Sequence, residues 1–206
     1  ATARTSATGN RAVVPSTRSA PDRQTLQHGH TTPNMADTHD DDHAPDSYVA
    51  DLRANRDEKD DFLAEHPQSP VPPEHREGFS GLDYFDPDPD SRVTASVTTH
   101  DDPDPVLMET TAGNEVRYVR IVTFALEFDG GRHELYGYKQ RPDDDEEAVF
   151  VPFRDKTTGQ ESYHGGRYLE LYPEDDLADG DSVTLDFNLA YTPFCAFSET
   201  FSCPLP

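Results

Sequence analysis

Four stretches of this chain set apolar residues at a period of two, with polar residues between them except at Ala125, Phe150 and Pro152: Val93, Ala95 and Val97; Val122, Phe124, Leu126 and Phe128; Val149, Val151 and Phe153; and Val183, Leu185 and Phe187. Successive side chains of a strand point to opposite faces, so each run offers one face to a core and the other to water. Turn signals separate the runs, among them Asp102-Pro103, Gly113-Asn114, Pro142-Asp143, Thr158-Gly159, Gly165-Gly166 and Gly180-Asp181. Asp129-Gly130-Gly131 is a hairpin signal, because both central residues of a tight hairpin turn need positive φ. No helical pattern lies between the runs. The expectation is a mainly β fold, an antiparallel meander of short strands, with a barrel favoured over a sandwich because every connection is short.

Ahead of the strands the period is different. Tyr48, Val49, Leu52, Phe62 and Leu63 form a partial apolar stripe at helical spacing behind Pro45-Asp46-Ser47, which predicts one N-terminal helix over 46–65, stopped by Pro67. Ser69-Pro70-Val71-Pro72-Pro73 reads as an extended linker, since each proline disfavours helix in the residue before it. Phe79 to Phe85 is an aromatic group suited to plugging the core. The organisation expected is therefore a disordered lead over 1–45, a helix and Pro-rich linker over 46–78, and an antiparallel β domain over 79–206.

The chain carries 41 acidic and 17 basic residues, a formal charge of −24, and only three lysines: Lys59, Lys139 and Lys156. Such an acidic shell holds water and cations, and fits a halophilic cell whose salt shortens the Debye length to about 3 Å at 1 M. Residues 1–34 run the other way, with four arginines against Asp22 alone, and Met35 follows them. Translation from Met35 is one expectation for this lead, and a basic disordered tail is the other. His39 to His43 is read as a hydrated charge run in preference to a metal tail. No apolar run approaches the length of a membrane span or a signal-peptide h-region. The expected location is the cytoplasm, with no membrane partner. Nucleic acid is excluded as well, because the acidic field repels phosphates and no basic patch with interleaved aromatics is present.

Chemistry-bearing residues collect in the last third. If Val183, Leu185 and Phe187 face the core, Asp186 and Asn188 share the opposite face, near Tyr191 and Cys195. The preceding hairpin adds Asp155, Tyr163 and Arg167, with Gly165-Gly166 permitting close approach to the arginine. A guanidinium suits a carboxylate or phosphate, so these six residues (Asp155, Tyr163, Arg167, Asp186, Asn188 and Tyr191) are candidates for binding a small anionic ligand. The structural alternative is a buried pair of Arg167 with Asp155 or with Asp186, locking two strands together. Cys195 and Cys203 are the only cysteines. Three roles stay open for them: buried thiols, metal ligands for zinc or iron aided by His164 or Asp186, or a redox pair.

Three motif-like stretches together resemble one family. They are Phe79 to Phe85, Phe153 to Leu169, and Asp186 to Pro204 with both cysteines. The resemblance is to the uncharacterised bacterial and archaeal domain-of-unknown-function family 1684, and it covers about 46–206. Ser162 stands where that family usually has threonine, and Thr192 where it usually has asparagine. Family members typically continue past the equivalent of Pro206 with a closing strand, so the resemblance implies a C-terminally truncated member. It implies no reaction. Three readings remain: a β-domain protein binding a small anionic ligand; a metal-assisted, hydrolase-like enzyme using Cys195, Cys203 and Asp186; or a structural role in which the polar cluster stiffens the sheet. Whether the protein is an enzyme, and which proteins partner it, are not fixed by the sequence.

Overall fold

The structure is a computed structural model that describes residues 45–206 apart from 103, 144–146 and 174–175. The expectations for the basic lead and for the His39–His43 run fall outside the described residues. Among the described residues, no helix is long and apolar enough to cross a membrane.

Helix α1 spans Pro45–Glu65, one residue longer at its start than the sequence pattern predicts, and ends ahead of Pro67. Leu52 and Leu63 of its stripe are buried. The proline-rich segment then turns back onto the helix: the Ser69 hydroxyl donates to the Leu63 carbonyl, Val71 is buried, and Arg76 donates to the carbonyls of Ser69 and Val71. Arg76 closes a single turn of helix, α2, at Pro73–Arg76.

Among the described residues, seven strands follow: β1 (Arg92–Thr99), β2 (Pro105–Glu109), β3 (Glu115–Phe128), β4 (Gly131–Lys139), β5 (Val149–Phe153), β6 (Arg167–Leu171) and β7 (Ser182–Asp186). Every pairing is antiparallel, in the order β6-β5-β4-β3-β1-β7. From β3 to β6 the strands form the expected meander. The long β3 serves two partners along one edge, β2 at Glu115–Val119 and β1 at Val122–Leu126, so β1 lies beside β3 and carries β7 outward. Between barrel and sandwich, the result is a curled half-barrel. A two-residue bridge of Tyr168 with Tyr191 ties the free side of β6 to the segment after β7.

Two local features set the curl and the register. Asp129 and Gly130 have φ of 50° and 70°, so a two-residue turn joins β3 to β4 as the sequence signal predicts. Gly137 on β4 lies so close to its neighbours that a Cβ there would come within 2.4 Å of Val122 and 2.6 Å of Val149. The core contains Val93, Ala95, Val97, Val122, Phe124, Leu126, Val149, Val151, Phe153, Leu169 and Leu185. Most of the alternating residues are thus buried as read. Val183 and Phe187 pack on the core only in part, because β7 is the outer strand and ends at Asp186, where the chain turns into a 3-10 segment over Phe187–Leu189.

Candidate functional site

The candidate residues form two polar clusters and a thiol pair. The first cluster centres on Asp186. One of its oxygens accepts from the Tyr48 hydroxyl of α1 at 2.8 Å and lies 3.6 Å from Arg92 Nε; the other accepts from the Asn188 backbone and side-chain amides, each at 3.0 Å. Asp186 and Asn188 therefore do meet, but through a turn capped by Asp186 instead of along one strand face. The Asn188 side chain also grips the backbone of Asp88, donating to its carbonyl at 2.7 Å and accepting from its N–H at 2.9 Å. Burial first, and then the Asp186 carboxylate, push the Tyr48 phenol well above its ordinary value. Each group in this set finds a partner, and the set fastens α1 and the segment before β1 to the end of β7.

The second cluster lies where the 79–88 segment crosses between α1 and β6. Arg56, Lys59 and Asp60 fall on one face of the helix, three and four residues apart. Asp60 accepts from the Leu82 N–H at 3.2 Å and from the Tyr84 hydroxyl at 2.9 Å. Arg56 lies over the Tyr84 ring, 4.8 Å from its centre, and donates to the Phe85 carbonyl at 2.7 Å. The Phe85 ring is 46% exposed, and the Arg167 guanidinium sits between it and Phe153, at 5.5 Å and 5.3 Å from the ring centres.

Arg167 pairs with Asp155 at 2.5 Å, which is one of the two ion pairs the sequence allows. Asp155 stands two residues past Phe153, the register partner of Arg167 at the start of β6, and also accepts from the Thr157 N–H and hydroxyl. Burial pushes the Asp155 carboxyl up, but the Thr157 hydroxyl and the Arg167 guanidinium outweigh it and hold it below the ordinary value. On the far side of β6, Tyr191 donates to Glu170 at 2.5 Å, and Lys59 lies 5.9 Å from the Tyr191 ring centre. Burial, then the neighbouring Arg56, pull the Lys59 ammonium below its ordinary value, while Asp60 and Glu170 oppose them.

These contacts close a ring: Arg56 to Phe85, Phe85 to Arg167, Arg167 along β6 to Tyr168 and its partner Tyr191, Tyr191 to Lys59, and Lys59 back to Arg56 on the helix. Arg56, Lys59 and Arg167 thus belong to one network, together with the carboxylates of Asp60, Asp155 and Glu170, in a protein with a formal charge of −24. The cluster is also incompletely bonded. Among the described residues, the Nε groups of Arg56 and Arg167 are buried with no acceptor. Leaving such a donor unpaired costs about 1–3 kcal/mol, and natively folded proteins keep few of them.

Tyr163 joins neither cluster. Its hydroxyl lies 3.7 Å from Cys195 Sγ, and its ring takes the close approach that Gly165 permits. Cys203 is buried, Cys195 is partly exposed, and the Cys195 N–H donates to Cys203 Sγ at 3.3 Å. Among the described residues, no group of three His, Cys, Asp or Glu side chains is placed to hold a metal ion. Asp186, the proposed third ligand, has Tyr48, Arg92 and Asn188 as its partners.

The sequence reading missed Arg56, Lys59 and Asp60. Charged helix residues look solvated in so acidic a chain, although the scarcity of lysine made Lys59 a signal worth following. An open cleft of about 400 Å³, lined by Thr99, His100, Asp101, Asp102, Asp104, Val106 and Arg120, is formed by residues outside both clusters.

Residues 77–206 match the family model described as "Protein of unknown function (DUF1684)". The solution NMR structure of an uncharacterised protein from the halophilic archaeon Haloarcula marismortui is 57% identical, covering 78% of this chain and 86% of that one, with a TM-score of 0.63. No curated protein matches.

Proposed function

We propose that this chain, which belongs to the family of proteins of unknown function DUF1684, is a cytoplasmic protein of a salt-rich cell that binds a small carboxylate or phosphate anion at the patch ringed by Arg56, Lys59 and Arg167. The carrying observation is the pair of buried, acceptor-free Nε groups on two arginines that meet at Phe85. A forked guanidinium bonds a carboxylate or phosphate through two parallel N–H groups, so it keeps much of its hold where salt screens simple charge attraction. Asp155 orients Arg167 from one side, Tyr191 supplies a phenol fixed by Glu170, and exposed Phe85 gives the ligand an apolar wall. Asp186 and Asn188 support the patch at a distance by holding the 79–88 segment in place.

The test is calorimetric titration of inorganic phosphate and of simple di- and tricarboxylates into the protein in high salt. Arg167→Lys should keep the fold and weaken binding about tenfold, a loss of about 1.4 kcal/mol, because an ammonium cannot reproduce the planar fork. An Arg167→Ala variant that folds normally and binds the same anions equally well would contradict the proposal.

Halophily rests on the formal charge of −24 and on the origin of the similar structure. Self-repulsion of the acidic surface is screened in molar salt and released in dilute buffer. Thermal melts should move steadily to lower temperature as potassium chloride is diluted, and a melting point indifferent to salt would argue against that setting.

A further inference from the structure

Cys195 and Cys203 are drawn together by elements that hold each one separately. Cys203 is fixed to the turn between β2 and β3: its N–H donates to the Thr111 hydroxyl at 3.2 Å, and its carbonyl accepts from the Thr111 N–H at 2.9 Å. Cys195 sits in the 3-10 turn Phe194–Ala196, with the Tyr163 hydroxyl 3.7 Å from its sulfur. Between them the chain loops out and returns, so that Cys203 Sγ lies 3.3 Å from the Cys195 backbone nitrogen. That contact makes the two residues direct neighbours, as a disulfide with its Cα spacing of about 4.4–6.8 Å requires.

The two sulfurs differ in access. Cys195 is partly exposed, and Cys203 is 7% exposed behind it. Burial, then the adjacent Cys195 thiol, push Cys203 up to about 12, so it stays protonated near neutral pH. Burial and then Cys195 likewise push Tyr163 up to about 12, which keeps its phenol protonated and able to donate to a thiolate on Cys195. An accessible attacking thiol with a hydrogen-bond donor beside it, backed by a buried resolving thiol, is the arrangement that thiol–disulfide exchange uses.

We infer that Cys195 and Cys203 form a reversible dithiol–disulfide centre, with Cys195 the sulfur that meets small disulfides from solution and Cys203 the sulfur that resolves the adduct. The Cys195 thiolate attacks one sulfur of a low-molecular-weight disulfide, breaking its S–S bond and releasing one small thiolate, which takes up the proton that Cys195 gave to solvent. Cys203, losing its proton as it attacks the Cys195 sulfur of the mixed disulfide, then displaces the second small thiol. The protein loses two protons and two electrons, and the small disulfide gains them. A partly exposed disulfide of this kind is readily reduced again, in contrast to a buried structural bridge. The inference does not depend on the anion site.

The test equilibrates the full chain, in high salt, with graded mixtures of reduced and oxidised glutathione, traps free thiols by alkylation, and weighs the intact protein. The expected result is a monomer that loses both thiols in one step and becomes lighter by two hydrogen atoms. Cys203→Ser should then trap Cys195 as a lasting glutathione adduct, and Cys195→Ser should leave Cys203 unmodified. The inference is overturned if both wild-type thiols stay free at every ratio, if they disappear at separate ratios or by joining two chains, or if Cys203 in Cys195→Ser takes up glutathione as readily as Cys195 does in its counterpart.

Discussion

The clusters around Asp186 and Arg167 use the same kinds of residue and are both anchored to α1, yet they differ in how far their hydrogen bonds are closed. Around Asp186 the carboxylate, the Asn188 amide, the Tyr48 hydroxyl and the Asp88 backbone are all paired with one another. Around Arg167, a strong ion pair on one side coexists with two acceptor-free guanidinium nitrogens and a lysine held below its ordinary protonation range. A closed network stiffens a fold and has little left to offer a ligand. An open one retains a local cost that a bound anion would relieve. On the proposed function, that contrast makes the Asp186 cluster architecture and the Arg167 cluster the binding site.

The largest effect that would test this division is on stability. Asp186→Ala leaves the Tyr48 hydroxyl, the Asn188 amides and Arg92 without their shared acceptor, and should lower unfolding free energy by roughly 3 kcal/mol. Denaturant titration in high salt measures that loss, and anion affinity per folded molecule should be unchanged. A variant that keeps its stability but loses the anion would reverse the two assignments.

Lys59→Met should have a smaller effect, with a sign that distinguishes binding from architecture. A lysine whose folded-state value lies below its unfolded one costs stability while it is protonated, and the cost fades as pH rises through the folded value toward the ordinary 10.5. Removing the amine should therefore stabilise the fold near neutral pH, with the gain shrinking as pH approaches that range, while anion affinity falls a few-fold. Loss of stability together with unchanged affinity would place Lys59 with the architecture. At the bottom of the scale is Lys156, which pairs with Asp129 on the open surface with both side chains mostly exposed. Lys156→Gln should change neither stability nor binding measurably, as expected of an exposed pair in salt.

The sheet was legible in the sequence where a strand has one dry face and one wet one, as β1 does. Val93, Ala95 and Val97 therefore announce themselves by alternation, and Asp129-Gly130 fixes the turn by its backbone requirement. Strands β2 and β6 were harder to see. β2 begins with a proline at an edge, leaves Leu107 59% exposed, and has no clean alternation.

The site was half legible. Arg167 with Asp155 follows from a hairpin, a local event. The grip of Asn188 on Asp88, and the docking of Arg56 and Asp60 against Tyr84 and Phe85, join residues far apart in the chain through polar contacts that carry no periodic signal. Tyr163 was grouped with the arginine by proximity in sequence, whereas its ring packs by Gly165 and its hydroxyl reaches Cys195.

The most direct measurement is NMR of the arginine Nε–Hε groups in nitrogen-15-labelled protein during titration with inorganic phosphate and then citrate in high salt. The account predicts that the Arg56 and Arg167 signals move together, saturate with one affinity, and leave the Asn188 side-chain amide in place. Signals of Arg56 and Arg167 that stay fixed while either anion reaches saturating concentration, or an Asn188 amide that moves in their stead, would contradict it.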